Sequence, residues 1–168
     1  NGVGTPALGN STSVNLFTDF TNLPPQTFMQ GINYPISVTQ INSSQFFYSC
    51  FLTAYIDYNH DGLYDINTEL IFSGQTDASL GGNTLTGTVT IPLTSLPGLT
   101  GLRLILQENG SITQPSCGTY TYGETEDYIV NIQAAVPCTA PPTAGMAYAN
   151  DSTVCPSVNY TLNLLGSS

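Results

Sequence analysis

Residues 45–57 read QFFYSCFLTAYID, the longest apolar stretch in a chain of 168 residues. Its aromatic and β-branched content predicts a central β-strand. The acidic loop 57–65, DYNHDGLYD, follows it directly. Outward from this stretch the pattern stays β. Pro and Gly punctuate the chain roughly every ten residues, and no segment longer than a turn holds a helical period. Further strands are expected over 13–20, 33–41, 69–73, 85–92, 101–107 and 127–133. In 101–107, alternation puts Leu102, Leu104 and Leu106 on one face and Arg103 and Ile105 on the other. Roughly seven strands at this spacing argue for an antiparallel β-sandwich. The Thr, Gly and Pro content excludes a helix bundle.

Charge removes several functions. The chain has one Arg, no Lys, eleven Asp plus Glu and a net charge of −10. Arg103 alone cannot make the basic patch that displaces counterions from nucleic acid, so no nucleic-acid partner is expected. An anionic membrane surface repels such a chain. No apolar run reaches the roughly 18 residues of a membrane helix, so no membrane insertion is expected. Hydrophobic residues make up 40% and aromatics 10%, enough for a core rather than disorder.

Only 7% of residues are charged, and the polar surface is built from Thr, Ser, Asn, Gln and Tyr. With four Cys, this composition fits a secreted or cell-surface, oxidising setting. The sequence begins Asn-Gly without Met or signal peptide, as expected of a processed or internal piece of a longer chain. Four Cys allow three disulfide pairings. Cys138 with Cys155, both in the C-terminal segment, leaves Cys50 with Cys117. Zinc is disfavoured, because no two Cys have close ligand spacing and there is one His.

Composition shifts near Ala134, where AAVPCTAPPTAG reads as a linker. Two domains are expected: a β-sandwich over 1–133, and a linker with the beginning of a second β unit over 134–168. The tail offers about two strands, which cannot bury a core alone. They are either a truncated domain or an edge available for donation to a neighbouring subunit.

The loop after the central strand carries the clearest chemistry. Asp57, Asn59, Asp61 and Gly62 match the first half of a calcium loop. Alternate short side chains in a tight loop aim oxygens at one centre. Gly62 permits the sharp turn, the Leu63 carbonyl adds a ligand, and Asp65 stands at the ninth position. The twelfth position is Thr68, so the bidentate Glu of an EF-hand is missing, and Glu69 stands one place late. This is an EF-like loop between strands. The competing reading is a plain Asp/Asn/Gly turn. Mutual repulsion of the carboxylates favours an ion. A second acidic group, Gly123 to Tyr128, opens the last strand and taken alone reads as solvated.

These segments together resemble the GEVED domain. They are YIDYNHDGLYD at 55–65, GLRLIL at 101–106, PSCG at 115–118 and GETEDYIVNI at 123–132, in the family's order. The resemblance covers roughly residues 1–133. It implies an Ig-like β-sandwich module of large secreted Bacteroidota proteins that resemble adhesins, peptidases or hydrolases. The tail is similar to the start of the Ig-like repeats that follow such modules. The sequence departs from the family at Tyr55, where Trp is usual, and at Thr125, where Val is usual. The resemblance strengthens metal binding at Asp57, Asn59 and Asp61. It makes Glu124, Glu126 and Asp127 candidate partners, if that strand start lies at the same end of the sandwich.

Other residues carry less. His60, the one histidine, reads as an exposed loop residue rather than a catalytic base. Tyr120 and Tyr122 alternate and could form an aromatic platform for glycans; ordinary strand packing is the alternative. Sequons begin at Asn10, Asn42, Asn109, Asn150 and Asn159, and Asp151-Ser152-Thr153 resembles a short O-glycosylation signal. The combined expectation is an all-β, Ig-like antiparallel sandwich acting as a non-catalytic, calcium-stabilised structural or adhesion module. Its expected partners are other domains of the same chain. The alternatives are an accessory carbohydrate-binding module and a filament subunit.

Overall fold

The computed structural model describes residues 17–40, 48–77, 84–136, 146–149 and 162–165. Its strands are β1 (Phe17–Asp19), β2 (Gln26–Met29), β3 (Asn33–Thr39), β4 (Cys50–Ile56), β5 (Leu70–Gln75), β6 (Thr84–Thr90), β7 (Gly98–Glu108), β8 (Gly123–Gln133), β9 (Met146–Ala149) and β10 (Leu162–Leu165). The chain divides into two compact units, Asn1–Ala135 and Val136–Ser168. In the second unit β9 and β10 pair antiparallel, Ala149 opposite Leu162 and Met146 opposite Leu165. Among the described residues no helix is long and apolar enough to cross a membrane.

The first unit is all-β. Its large sheet runs β1-β8-β7-β4-β5, and β2 also pairs with β8. The sheet is mixed rather than purely antiparallel, because β1 and β2 both run parallel to β8. One segment travels along the β8 edge, bonding first at 125–127 and then at 130–133. The break between them holds Pro24 and Pro25, which carry no N–H for a ladder. The strand β2 was not expected from the sequence. A separate antiparallel ribbon of β3 and β6 pairs Asn33 with Thr90 through Thr39 with Thr84.

The core lies between the ribbon and one face of the large sheet. Ile56, Tyr58, Val89, Ile91, Val130 and Ile132 form one cluster, with Tyr34 and Ile36 packed on it. Ala54, Leu104 and Tyr128 form a second, and Phe20 stacks on Tyr128 at 5.1 Å. Even-numbered residues of β4 face this core. The odd-numbered Thr53 and Tyr55 are nevertheless fully buried. They lie beneath the 110–120 loop, where Gln114 Nε2 donates to Thr53 Oγ1, and the Tyr55 hydroxyl to the Gln114 carbonyl. Burial on both faces explains why β4 reads as one apolar run without alternation.

The expected Cys50–Cys117 disulfide is not formed; both are free thiols. Cys50 shares the inner face with Leu52 and Ala54 and accepts a contact from Gln40 Nε2 at 3.4 Å. Cys117 lies over the outer face, its Sγ 3.5 Å from the Arg103 guanidinium. Arg103 stands opposite Tyr55. The two sulfurs are therefore on opposite sides of the sheet, too far apart to bridge. Cys138 and Cys155 lie outside the described residues.

Candidate metal loop and acidic strand

The turn after β4 is organised by two carboxylates. Asp57 directly follows β4, with its N–H on the Gly101 carbonyl and its own carbonyl accepting Thr100 Oγ1. It is 6% exposed. Its Oδ1 accepts the Asp61 N–H at 3.2 Å and its Oδ2 the Gly62 N–H at 3.0 Å. Gly62 has φ +79°, and Cβ-free backbone serves that turn. His60, also left-handed at φ 58°, is exposed, as expected.

Glu69 is the second organiser and is only 2% exposed. Its Oε1 accepts the N–H groups of Tyr58 at 2.9 Å and Asn59 at 3.3 Å, and its Oε2 that of Asp65 at 2.8 Å. Between these anchors, Asn59 Oδ1 accepts the Asp61 N–H, and Asn59 Nδ2 donates to Asp61 Oδ2 at 2.8 Å. Asp61 Oδ1 accepts the Leu63 N–H. Asp57, Asn59, Asp61 and Glu69 thus belong to one network. Asp65 does something else: its Oδ1 accepts the Asn67 and Thr68 N–H groups. Those bonds hold its carboxyl below the usual range. The Leu63 side chain is exposed. Among the described residues no three acidic, thiol or imidazole side chains converge on one point, because the loop carboxylates turn to backbone N–H groups.

The acidic group at 123–128 is part of β8, not an exposed approach to it. The strands β4 and β8 run in the same direction, both antiparallel to β7. Glu124 stands across from Leu106, and Leu106 from Leu52. Glu124 is therefore about 16 Å from Asp57 along the strand direction at roughly 3.3 Å per residue, whereas Glu126 and Asp127 stand level with Ala54 and Tyr55, nearer the loop. The acidic group therefore starts at the other end of the sheet, and what keeps Glu126 and Asp127 from the loop is the face and partner each takes. Glu126 faces the core side, 8% exposed, and accepts the Tyr128 hydroxyl at 2.9 Å. Burial, reinforced by Glu124, raises its carboxyl to about 7 despite that bond. Asp127 points to the outer face into a two-pronged pair with Arg103, at 2.7 Å from Nε and 2.6 Å from Nη2. Neither residue joins the loop.

Arg103 also lies over the Tyr64 ring, 5.2 Å from its centroid. Tyr64 in turn covers Gly101, where any Cβ would collide with its hydroxyl. Sequence reasoning missed Tyr64 and Gln114. Both act through contacts distant in sequence, which leave no local pattern. Of the proposed aromatic platform, Tyr120 bonds Thr125 Oγ1 at 2.6 Å, whereas Tyr122 is 63% exposed.

The four pieces therefore sit on three neighbouring strands of one sheet, β4, β7 and β8, and on two loops, 57–65 and 115–118. Residues 51–131 match the family model of the GEVED domain. The chain carries a GEVED domain. A comparison with curated proteins finds no match. The GEVED segment runs from the second residue of β4 into β8, so it holds the loop, the Arg103–Asp127 pair and the central strands. A GEVED domain points to a structural module of a multidomain protein.

Proposed function

We infer that the first unit is a non-catalytic structural and adhesive module of a larger secreted or cell-surface protein, with calcium bound in the loop after β4. The observation that carries this reading is the state of Glu69 and Asp57. Both carboxylates are buried, and their hydrogen-bond partners are backbone N–H groups. The chain has no Lys, and its one Arg is engaged by Asp127. A bound cation would supply the loop with the counter-charge that neither Lys nor Arg provides.

The donor set fits a hard cation. It offers carboxylate, amide and carbonyl oxygens on a D-x-N-x-D-G frame, with no sulfur or imidazole required. Asp57, Asn59, Asp61, the Leu63 carbonyl and Glu69 would hold the ion. Calcium would supply charge neutralisation and cross-link the end of β4 to the start of β5. Asp65 serves as the turn cap, and Glu126 and Asp127 are left out of the ligand set. The composition and the paired C-terminal strands support a tandem arrangement with other domains of the same chain. Calorimetric titration with calcium tests the reading. Heat of binding at one site, abolished in Asp57→Asn, supports it; no heat in metal-stripped protein contradicts it.

A further inference from the structure

On the outer face of the large sheet lies a pocket of about 650 Å³, distinct from the 57–65 loop. Its floor is formed by β1, β7 and β8, and its wall by the 110–120 loop. Phe17, Gln107, Thr113, Ser116, Tyr120 and Thr125 line it. A pocket of this size is in the range of small-ligand sites.

The lining chemistry is selective. Among the described residues Arg103 is its one charged residue, and Asp127 already holds both prongs of that guanidinium. Among the described residues no free positive charge is left for an anion, and no carboxylate lines the pocket for a cation. What remains is a neutral lining of hydroxyls and amides with two aromatic rings, Phe17 and Tyr120, beside the Cys117 thiol and the apolar Ile105 and Pro115. That combination matches a ligand with hydroxyls around its rim and C–H groups on its faces. Gln114, 4% exposed, has an Oε1 without a hydrogen-bond partner. Its Nε2 is fixed on the sheet side by Thr53 Oγ1 and the Ile105 carbonyl. Its Oε1 lies beside Gly110 with no exposed surface, so Gln114 anchors the loop wall rather than facing a ligand.

We propose that this outer-face pocket binds a neutral saccharide residue, giving the module a glycan-recognition site. Tyr120 and Phe17 supply the stacking surface, and Gln107, Thr113 and Thr125 the hydrogen bonds. The exposed Tyr122 lies outside the lining and takes no part.

The test is a glycan array probed with the 168-residue chain, followed by NMR titration with the neutral hexose glycans that bind. The expected result is saturable binding that shifts the resonances of Phe17, Thr113 and Tyr120. Tyr120→Ala and Gln107→Ala should each weaken binding by about tenfold or more, and Tyr122→Ala should leave it unchanged. Should Tyr120→Ala fail to fold, Gln107→Ala carries the test. Asp61→Asn should retain binding, so loss of the calcium reading would leave this one standing. The proposal is overturned by no neutral glycan binding up to on the order of 10 mM, by binding confined to acidic glycans or peptides, or by binding indifferent to both pocket variants.

Discussion

Glu69 accepts the backbone N–H of Tyr58 at 2.9 Å from eleven residues further along the chain. The same carboxylate holds Asn59 and Asp65. The acidic loop is therefore closed by a side chain at the start of the next strand. Glu69→Ala would leave three N–H groups without this acceptor and should destabilise the domain by about 2–4 kcal/mol. Glu69→Gln, which keeps one oxygen, should cost less. Chemical denaturation of both variants checks the order. Equal stability of Glu69→Ala and wild type would show that the loop does not depend on this carboxylate.

The Arg103–Asp127 pair is the second cross-link, joining β7 to β8 on the face where Tyr64 packs. Its geometry is two-pronged and largely shielded, so Lys cannot replace Arg. Arg103→Lys should destabilise by about 1 kcal/mol and Arg103→Ala by about 2–3 kcal/mol, because Asp127 is then left without its partner. A double-mutant cycle with Asp127→Asn should show a coupling of about 1 kcal/mol or more.

The two described thiols should react differently. Cys117 is exposed, and Cys50 is buried with its thiol raised by burial and by Glu108. In native protein, iodoacetamide should label Cys117 within minutes and Cys50 only after unfolding. Peptide mass spectrometry reads both. A peptide linking Cys50 to Cys117 would contradict this fold, since the sulfurs lie on opposite sides of the sheet.

Glu126 gives a pH signature. Its folded carboxyl titrates at about 7, against a usual 4.5, chiefly because it is buried. The folded state thus holds a proton that the unfolded chain has lost across this window. Its effect on stability is absent below the unfolded value. As pH rises from about 4.5 to 7, stability should fall, by on the order of 1–2 kcal/mol after solvent screening. Glu126→Gln should flatten that part of the profile. An unchanged slope in Glu126→Gln would place the titration elsewhere.

Much of the fold was legible because its cause is local. The apolar run of β4, the leucine alternation of β7 and the D-x-N-x-D-G loop each follow from neighbouring residues. The β2 strand was missed because it follows two prolines and depends on β8 for pairing. The same dependence turned an expected antiparallel sheet into a mixed one. The disulfide and the Glu126 and Asp127 ligand assignments failed for one reason. A sequence shows which residues are acidic or thiol-bearing, but sheet register decides which face and which end they reach. Glu69 was within reach, since it stands one position past the usual closing ligand. Its bonds to Tyr58 and Asn59 were not, because backbone N–H direction is set only once the loop has folded.

The most direct measurement is the thermal unfolding midpoint in calcium and in excess EGTA, for wild type and Asp61→Asn, with metal analysis of the purified protein. An ion that binds only the folded state must raise stability by mass action, about 2.7 kcal/mol at a hundredfold excess over the dissociation constant. The account predicts a rise of several degrees in wild type, lost or much reduced in Asp61→Asn. Identical midpoints in calcium and EGTA, with no ion found in the purified protein, would contradict it.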